Sequence, residues 1–76
     1  MDKQIIQAVA DYLGLAAEDI EKGNNLQEDL GLGPVELNDL LHHLSEKFGV
    51  VFNPEETEDL QKMDDLIVLI EDNLLE

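Results

Sequence analysis

Cysteine, arginine and tryptophan are absent from this 76-residue chain, which holds only one tyrosine and two phenylalanines. Without cysteine there is no disulfide framework, no thiolate metal site and no cysteine nucleophile. No apolar run approaches the roughly 20 residues that a transmembrane helix needs. The first residues have no basic segment ahead of a hydrophobic stretch, so we expect no secretory signal and a cytoplasmic location.

Positive charge is also scarce. Four lysines stand against 19 Asp and Glu residues, which gives a formal net charge of -15 at pH 7. Such a field repels nucleic acid and anionic membranes and attracts basic protein surfaces, so we expect protein partners and no nucleic acid. Because 43% of the residues are hydrophobic and many recur with helical spacing, residues 1–76 are predicted to fold as one small domain.

The clearest pattern lies between Asp29 and Gly49. Its apolar residues recur at i, i+3, i+4, i+7 and i+11, which is one face of an α-helix. They are Leu37, Leu40, Leu41, Leu44 and Phe48. Gly33 suits the N-cap, and Pro34 suits the first helical position, where its missing N–H would have no intrahelical partner. Gly49 suits a left-handed helix end.

Shorter helical patterns flank this segment. Residues 2–14 and 63–74 each have one apolar face, and Asn53-Pro54 begins a short acidic helix over 54–60. The apolar residues of the two longer faces are Ile5, Ile6, Val9 and Leu13, then Met63, Leu66, Ile67, Ile70 and Leu74. We predict an all-α fold, a small antiparallel helical bundle of three main helices plus one short helix.

The long connection over residues 15–33 has no helical period. It does carry apolar residues that are expected to hold it against the bundle. These are Leu15, Ile20, Leu26, Leu30 and Leu32. After the central helix, Val50 and Phe52 are expected to plug the core from an extended connector.

Asp29-Leu30-Gly31 precedes the central helix, and Leu40, Leu44, Phe48 and Gly49 follow in register. These residues resemble the acyl carrier proteins, in which Asp-Leu-Gly-x-Asp-Ser-Leu opens the second helix, and the resemblance covers nearly the whole chain. It implies the same fold and a non-enzymatic role in fatty-acid or polyketide/peptide-type metabolism. In that family the serine hydroxyl bears phosphopantetheine, whose thiol holds acyl groups.

The chain departs from the family at this motif, because Gly33-Pro34-Val35 stands in place of Asp-Ser-Leu. Pro34 occupies the attachment position and has neither a hydroxyl nor a backbone N–H. We therefore expect no phosphopantetheine and no other cofactor. Ser45 and Thr57 lie outside the motif that a transferase would recognise.

The resemblance also implies a docking surface, since the family presents carboxylates of this helix to basic partner enzymes. Here those positions are Glu36, Asp39 and Glu46. The alternative is a solvated helix face, and Glu36 also suits the helix N-terminus. The predicted function is thus a docking module without the prosthetic arm.

Two alternatives to this function stay open. One is a non-covalent binder of acyl chains in the leucine-lined interior. The other is a regulatory or structural adaptor that self-associates weakly through Val68, Leu69 and Leu75.

His42 and His43 raise the question of a metal site. Adjacent helical side chains point about 100° apart, so the two rings are poorly placed to hold one ion, although Asp39 and Glu46 lie within one turn. We predict no metal site. We also find no Ser–His–Asp arrangement or phosphate-binding glycine loop and predict no enzymatic activity.

Overall fold

The computed structural model describes residues 2–74 and contains four α-helices. They are α1 (Asp2–Leu13), α2 (Pro34–Phe48), α3 (Pro54–Glu58) and α4 (Met63–Leu74), with a single-turn 3-10 helix at Ala17–Asp19. No β-strand forms within residues 2–74, and only an isolated bridge pairs Asn25 with Lys62. The predicted all-α fold is confirmed, although α3 ends at Glu58 and is two residues shorter than expected.

Glycine ends both α1 and α2. Gly14 and Gly49 have φ angles of 74° and 68°, in the left-handed region that residues with a side chain rarely adopt. The Gly49 N–H donates to the Ser45 carbonyl at 2.9 Å, and the Leu15 N–H donates to the Ala10 carbonyl at 2.9 Å. These bonds satisfy carbonyls that the helix ends would leave unpaired.

The core is apolar, and α2 supplies four of its leucines. Leu37, Leu40, Leu41 and Leu44 are buried, while Phe48 at the end of the stripe is half-buried. In α1 the burial differs from the predicted face, because Ala8 and Ala10 are buried whereas Ile6 and Leu13 are only half-buried. The reason is that α1 packs against α2, α4 and the 3-10 helix together, so more than one stripe is covered.

The long first connection lies on the bundle through three buried residues, Ile20, Leu26 and Leu32, with Leu30 half-buried. Leu15 is 42% exposed, so its predicted role as an anchor is wrong. Leu15 directly follows the left-handed turn at Gly14, and it is not among the residues that pack against the core.

Backbone hydrogen bonds attach the same connection to the beginning of α4. The Leu26 N–H donates to the Gln61 carbonyl at 2.8 Å, and the Met63 N–H donates to the Asn24 carbonyl at 2.8 Å. The Asp64 N–H donates to the Lys22 carbonyl at 2.9 Å. An irregular segment thereby gains partners for polar backbone groups that would otherwise be costly to bury.

The segment after α2 behaves as expected, with Val50 buried and Phe52 half-buried against the core. The five residues of α3 include no buried one, and this helix is held by its flanks, among them the buried Leu60. Leu74, predicted on the apolar face of α4, is 38% exposed at the helix end. None of the helices within residues 2–74 is long and apolar enough to cross a membrane.

Candidate docking face and the start of helix α2

Helix α2 begins without a side-chain cap. Gly33 is the N-cap in an extended conformation, Pro34 is the first helical residue, and the Leu37 N–H donates to the Gly33 carbonyl at 2.9 Å. The Glu36 side chain folds back over this end, because its Oε2 lies 2.9 Å from where a Cβ on Gly33 would stand. A carboxylate near a helix N-terminus is favoured by the exposed N–H groups. Glu36 therefore places a negative charge at this uncapped helix end.

The start of α2 does not fit an attached phosphopantetheine. Pro34 is exposed but has no hydroxyl to form the phosphodiester, and it also removes one N–H donor from the helix end. Its neighbour Val35 is 69% exposed, so an apolar side chain projects from this position. The misfit lies in the chemistry of Pro34, which has no hydroxyl, because the position itself is accessible to solvent.

The serine and the threonine of the chain lie elsewhere, and both hydroxyls are engaged. The half-buried Ser45 donates its Oγ–H to the Val50 carbonyl, across the end of α2. Thr57 donates its Oγ1–H to the Pro54 carbonyl at 3.1 Å. Each hydroxyl thus contributes a local hydrogen bond that covalent loading would remove.

The three carboxylates predicted for docking are all exposed on α2. Glu36, Asp39 and Glu46 lie within a sector of about 80° around the helix. We call this surface, together with Val35 and His42, the α2 face. Within this face Glu46 already has a partner, because its Oε1 lies 3.1 Å from the Nε2 of His42, one turn earlier.

The two histidines point to different partners. His42 contacts Glu46, whereas the ring of His43 lies 5.3 Å from the ring of Tyr12, with 40° between the planes. The second contact joins α2 to α1. In the described part of the chain no group of three or more His, Asp and Glu residues is arranged to hold a metal ion.

A shallow groove runs between α2 and the segment that carries α3. It consists of two adjoining hollows of about 350 and 260 Å³, which share Asn38, Leu41 and Thr57. We call it the α2–α3 groove. Pro34 and Leu37 line one hollow, and Val51 and Phe52 line the other. The groove therefore reaches from the start of α2 to its end.

A second groove lies between α3 and α4 and has a volume of about 270 Å³. Its apolar lining is Leu60, Val68 and Leu69, and its acidic lining is Glu56, Asp59, Asp65 and Asp72. We call it the α3–α4 groove. The sequence singled out Val68 and Leu69 but did not predict that these four carboxylates surround them. The spacing of Asp65, Leu69 and Asp72 on one helical face was the available signal. Leu75, predicted with this patch, lies outside the described residues.

Comparison with known proteins places this chain in one family. Residues 3–70 match the family model described as "Phosphopantetheine attachment site". An acyl carrier protein from Nitratidesulfovibrio vulgaris strain Miyazaki F is 27% identical over 70 residues, which cover 92% of each chain. One from Solidesulfovibrio magneticus is 29% identical over 69 residues, 91% of this chain and 88% of the other.

A solved structure has the same fold. The crystal structure of an acyl carrier protein from Thermotoga maritima matches with a TM-score of 0.74 at 22% identity. The match covers 97% of this chain and 92% of that one. The four-helix architecture and the family match over residues 3–70 agree. This chain therefore belongs to the acyl carrier protein family, whose members are carriers rather than enzymes.

Proposed function

We propose that this protein is a docking module of fatty-acid or polyketide/peptide-type metabolism that does not itself bear phosphopantetheine. The observation that carries the proposal is Pro34 at the first residue of α2, which by the resemblance of Asp29-Leu30-Gly31 to the family motif stands where the family has its serine. A proline offers no oxygen for the phosphodiester. The hydroxyls of Ser45 and Thr57 make local hydrogen bonds, which supports the same conclusion.

The docking part of the proposal rests on the α2 face. Glu36, Asp39 and Glu46 are exposed there, in a chain of net charge -15. A fixed row of carboxylates attracts Lys and Arg of a partner and fixes its register, and such pairs mainly raise the association rate and the specificity. The expected partners are basic surfaces of enzymes that process acyl chains.

Mass spectrometry tests the absence of the arm. The purified protein is incubated with coenzyme A and a broad-specificity phosphopantetheinyl transferase, and its intact mass is measured. We expect no change in mass. The matched positive control is the triple variant Gly33→Asp, Pro34→Ser, Val35→Leu, which restores the family motif and is expected to gain one phosphopantetheinyl group. A gain by the unaltered protein would overturn the proposal.

Binding at several salt concentrations tests the docking face. The probe is a purified ketoacyl synthase of fatty-acid synthesis, and the variant is Glu36→Lys with Asp39→Lys. We expect binding to be lost and its salt dependence to flatten, because the attracting charges are reversed. Glu18→Lys with Asp19→Lys, in the exposed 3-10 helix, makes the same change in net charge at a different place. Equal losses in both variants would remove α2 from the interface.

The α2–α3 groove supports a second candidate function, the non-covalent binding of an acyl chain. Its hollows adjoin and are lined in part by Leu37, Leu41, Val51 and Phe52. Titration with a medium-chain fatty acid, followed by methyl NMR, would shift the signals of Leu41 and Val51 if the chain enters this groove. No shift at saturating ligand would eliminate this candidate and leave the docking proposal unaffected.

A further inference from the structure

The α3–α4 groove has the dimensions of a side-chain pocket. Its volume of about 270 Å³ lies below the roughly 300–1,000 Å³ of sites that enclose small ligands. Val68 is 49% exposed beside the half-buried Leu69, although the preceding Leu66 and Ile67 are buried. An exposed apolar residue next to a hollow suits the anchor residues of a protein partner, which fill small pockets at the centre of an interface.

Four carboxylates line this groove, and two of them are already engaged. Asp65 accepts the N–H groups of Gln61 and Lys62 at 3.3 and 3.1 Å, and Glu56 accepts the side-chain N–H of Asn53 at 2.7 Å. The side-chain carboxylates of Asp59 and Asp72 make no hydrogen bond or ion pair with any described residue. No lysine or histidine lines the groove. The charges of Asp59 and Asp72 are therefore available to cations from outside the chain.

An apolar groove could be occupied by a second copy of this chain or by another protein, and the charge of the groove decides between these two occupants. In a symmetric dimer the same patch of each copy meets the other, so eight carboxylates would face one another without a cation between them. Like charges at such short range are strongly unfavourable, and each copy carries a net charge of -15. A basic partner meets the reverse situation, since its Lys or Arg side chains would pair with Asp59 and Asp72 while an apolar residue contacts Val68.

We propose that the α3–α4 groove is a second docking site, which takes a basic amphipathic helix of a partner protein and not a second copy of this chain. An amphipathic helix fits because one face can supply the apolar anchor while its flanks supply cations. The site is separate from the α2 face. Its occupation does not depend on whether that face or the prosthetic arm acts as proposed.

Synthetic peptides test this site directly. The probe is a helix of about 18 residues, five turns, with leucine at i, i+3, i+4 and i+7 and lysine elsewhere. Two comparison peptides replace every lysine by glutamate or every leucine by serine. We expect the Leu/Lys peptide to shift the methyl NMR signals of Val68 and Leu69, with much weaker effects from the Ser/Lys peptide and none from the glutamate peptide. Equal binding of the two lysine peptides, or shifts that omit Val68, would overturn the proposal.

Charge variants test whether the carboxylates of the groove contribute to peptide binding. Asp59→Asn with Asp72→Asn is expected to weaken the Leu/Lys peptide about fivefold to tenfold, since two partly desolvated ion pairs are lost. Glu18→Gln with Asp19→Asn makes the same change in net charge outside the groove and outside the α2 face. We expect less than about a twofold loss from this control, which reflects only the long-range field. Similar losses in the two variants would refute a specific groove site.

A measurement of mass in solution tests whether a second copy of this chain occupies the α3–α4 groove. Sedimentation equilibrium of the unaltered protein is expected to give the monomer mass at physiological salt. A dimer that Val68→Asp dissociates would show that a second copy fills the groove and would overturn the proposal. Failure of the docking experiment on α2 leaves these results unchanged, because they use different residues and a different probe.

Discussion

The α2 face and the α3–α4 groove are both acidic, but they use their carboxylates differently. On the α2 face, Glu46 already contacts His42, and Glu36 folds over the helix end. In the α3–α4 groove, Asp59 and Asp72 lie beside an exposed valine, with no cation among the lining residues. Net charge alone does not distinguish these surfaces. What distinguishes them is their surroundings, because a histidine lies among the carboxylates of the α2 face, whereas the lining of the α3–α4 groove contains no lysine or histidine.

The two regions also differ in how much their apolar residues contribute to stability. Substitutions in the core are expected to have the largest effect on the free energy of unfolding. Leu40 of α2 is fully buried, so Leu40→Ala is expected to lower the free energy of unfolding by about 2–5 kcal/mol. Val68→Ala in the groove is expected to change it by less than about 0.5 kcal/mol, because Val68 is half exposed. Urea denaturation followed by circular dichroism measures both.

Leu40→Ala also risks complete unfolding of so small a domain. Ile70→Val, at a fully buried position of α4, can serve as the core substitution instead. It is expected to lower the free energy of unfolding by about 0.5–1.5 kcal/mol. A loss at Val68 as large as the core loss would mean that the groove wall is needed for folding, and the contrast between scaffold and surface would fail.

Helix capping gives the next effect. Asp65, the third residue of α4, accepts the N–H groups of Gln61 and Lys62, so Asp65→Ala is expected to cost about 1 kcal/mol. Glu36 is the third residue of α2 and lies near Gly33 without a side-chain cap bond there. Glu36→Ala should cost only about 0.3–0.5 kcal/mol through the helix dipole. Thermal unfolding of the two variants compares them, and a reversed order would contradict this assignment of roles.

Neutralising carboxylates should change the free energy of unfolding by a smaller amount, and this change should stabilise the fold. Asp59→Asn with Asp72→Asn is expected to stabilise the fold by a few tenths of a kcal/mol at low salt, because it relieves repulsion within the groove. Glu46→Gln should stabilise it less per charge removed, since it also breaks the contact with His42. Salt at about 1 M should remove both gains. Gains that persist at that concentration would point to a cause other than charge repulsion.

An ion pair outside both regions shows what a partnered carboxylate does, with the smallest expected effect. The hydrogen bond from the Lys22 ammonium lowers the pKa of Asp2, and the same bond raises the pKa of Lys22. The contribution of Asp2 to stability is thus present above its unfolded pKa of about 3.9 and is lost as the pH falls through the lower folded value. That of Lys22 is present below about pH 10.4 and is lost as the pH rises through the higher folded value.

Both groups are exposed, so the variant Lys22→Gln is expected to alter overall stability only slightly. The sharper measurement is an NMR titration of the Asp2 carboxyl carbon. In Lys22→Gln its pKa should return toward the ordinary value for aspartate. An unchanged titration would show that the pair does not persist in solution.

The sequence predicted best what is encoded over short distances. The leucine stripe of α2, Pro34 at its start and Gly49 at its end act within one or two helical turns, and the helix forms where they indicate. Leu15 was mispredicted because an apolar residue in a loop has no period that fixes its direction. The rim of the α3–α4 groove was missed for another reason. It joins residues of two helices, and their approach depends on the packing of the whole bundle.

The hydrogen bonds between Leu26 and Gln61, and between Asn24 and Met63, join two points that are far apart in the sequence. Residues 27–60, which include α2 and α3, therefore form one long segment whose two ends meet at a single seam. Closing so long a loop costs little more entropy than closing a shorter one. Exposed residues of this segment, such as Pro34 and Val35, can therefore change while the seam continues to hold the first connection against the start of α4.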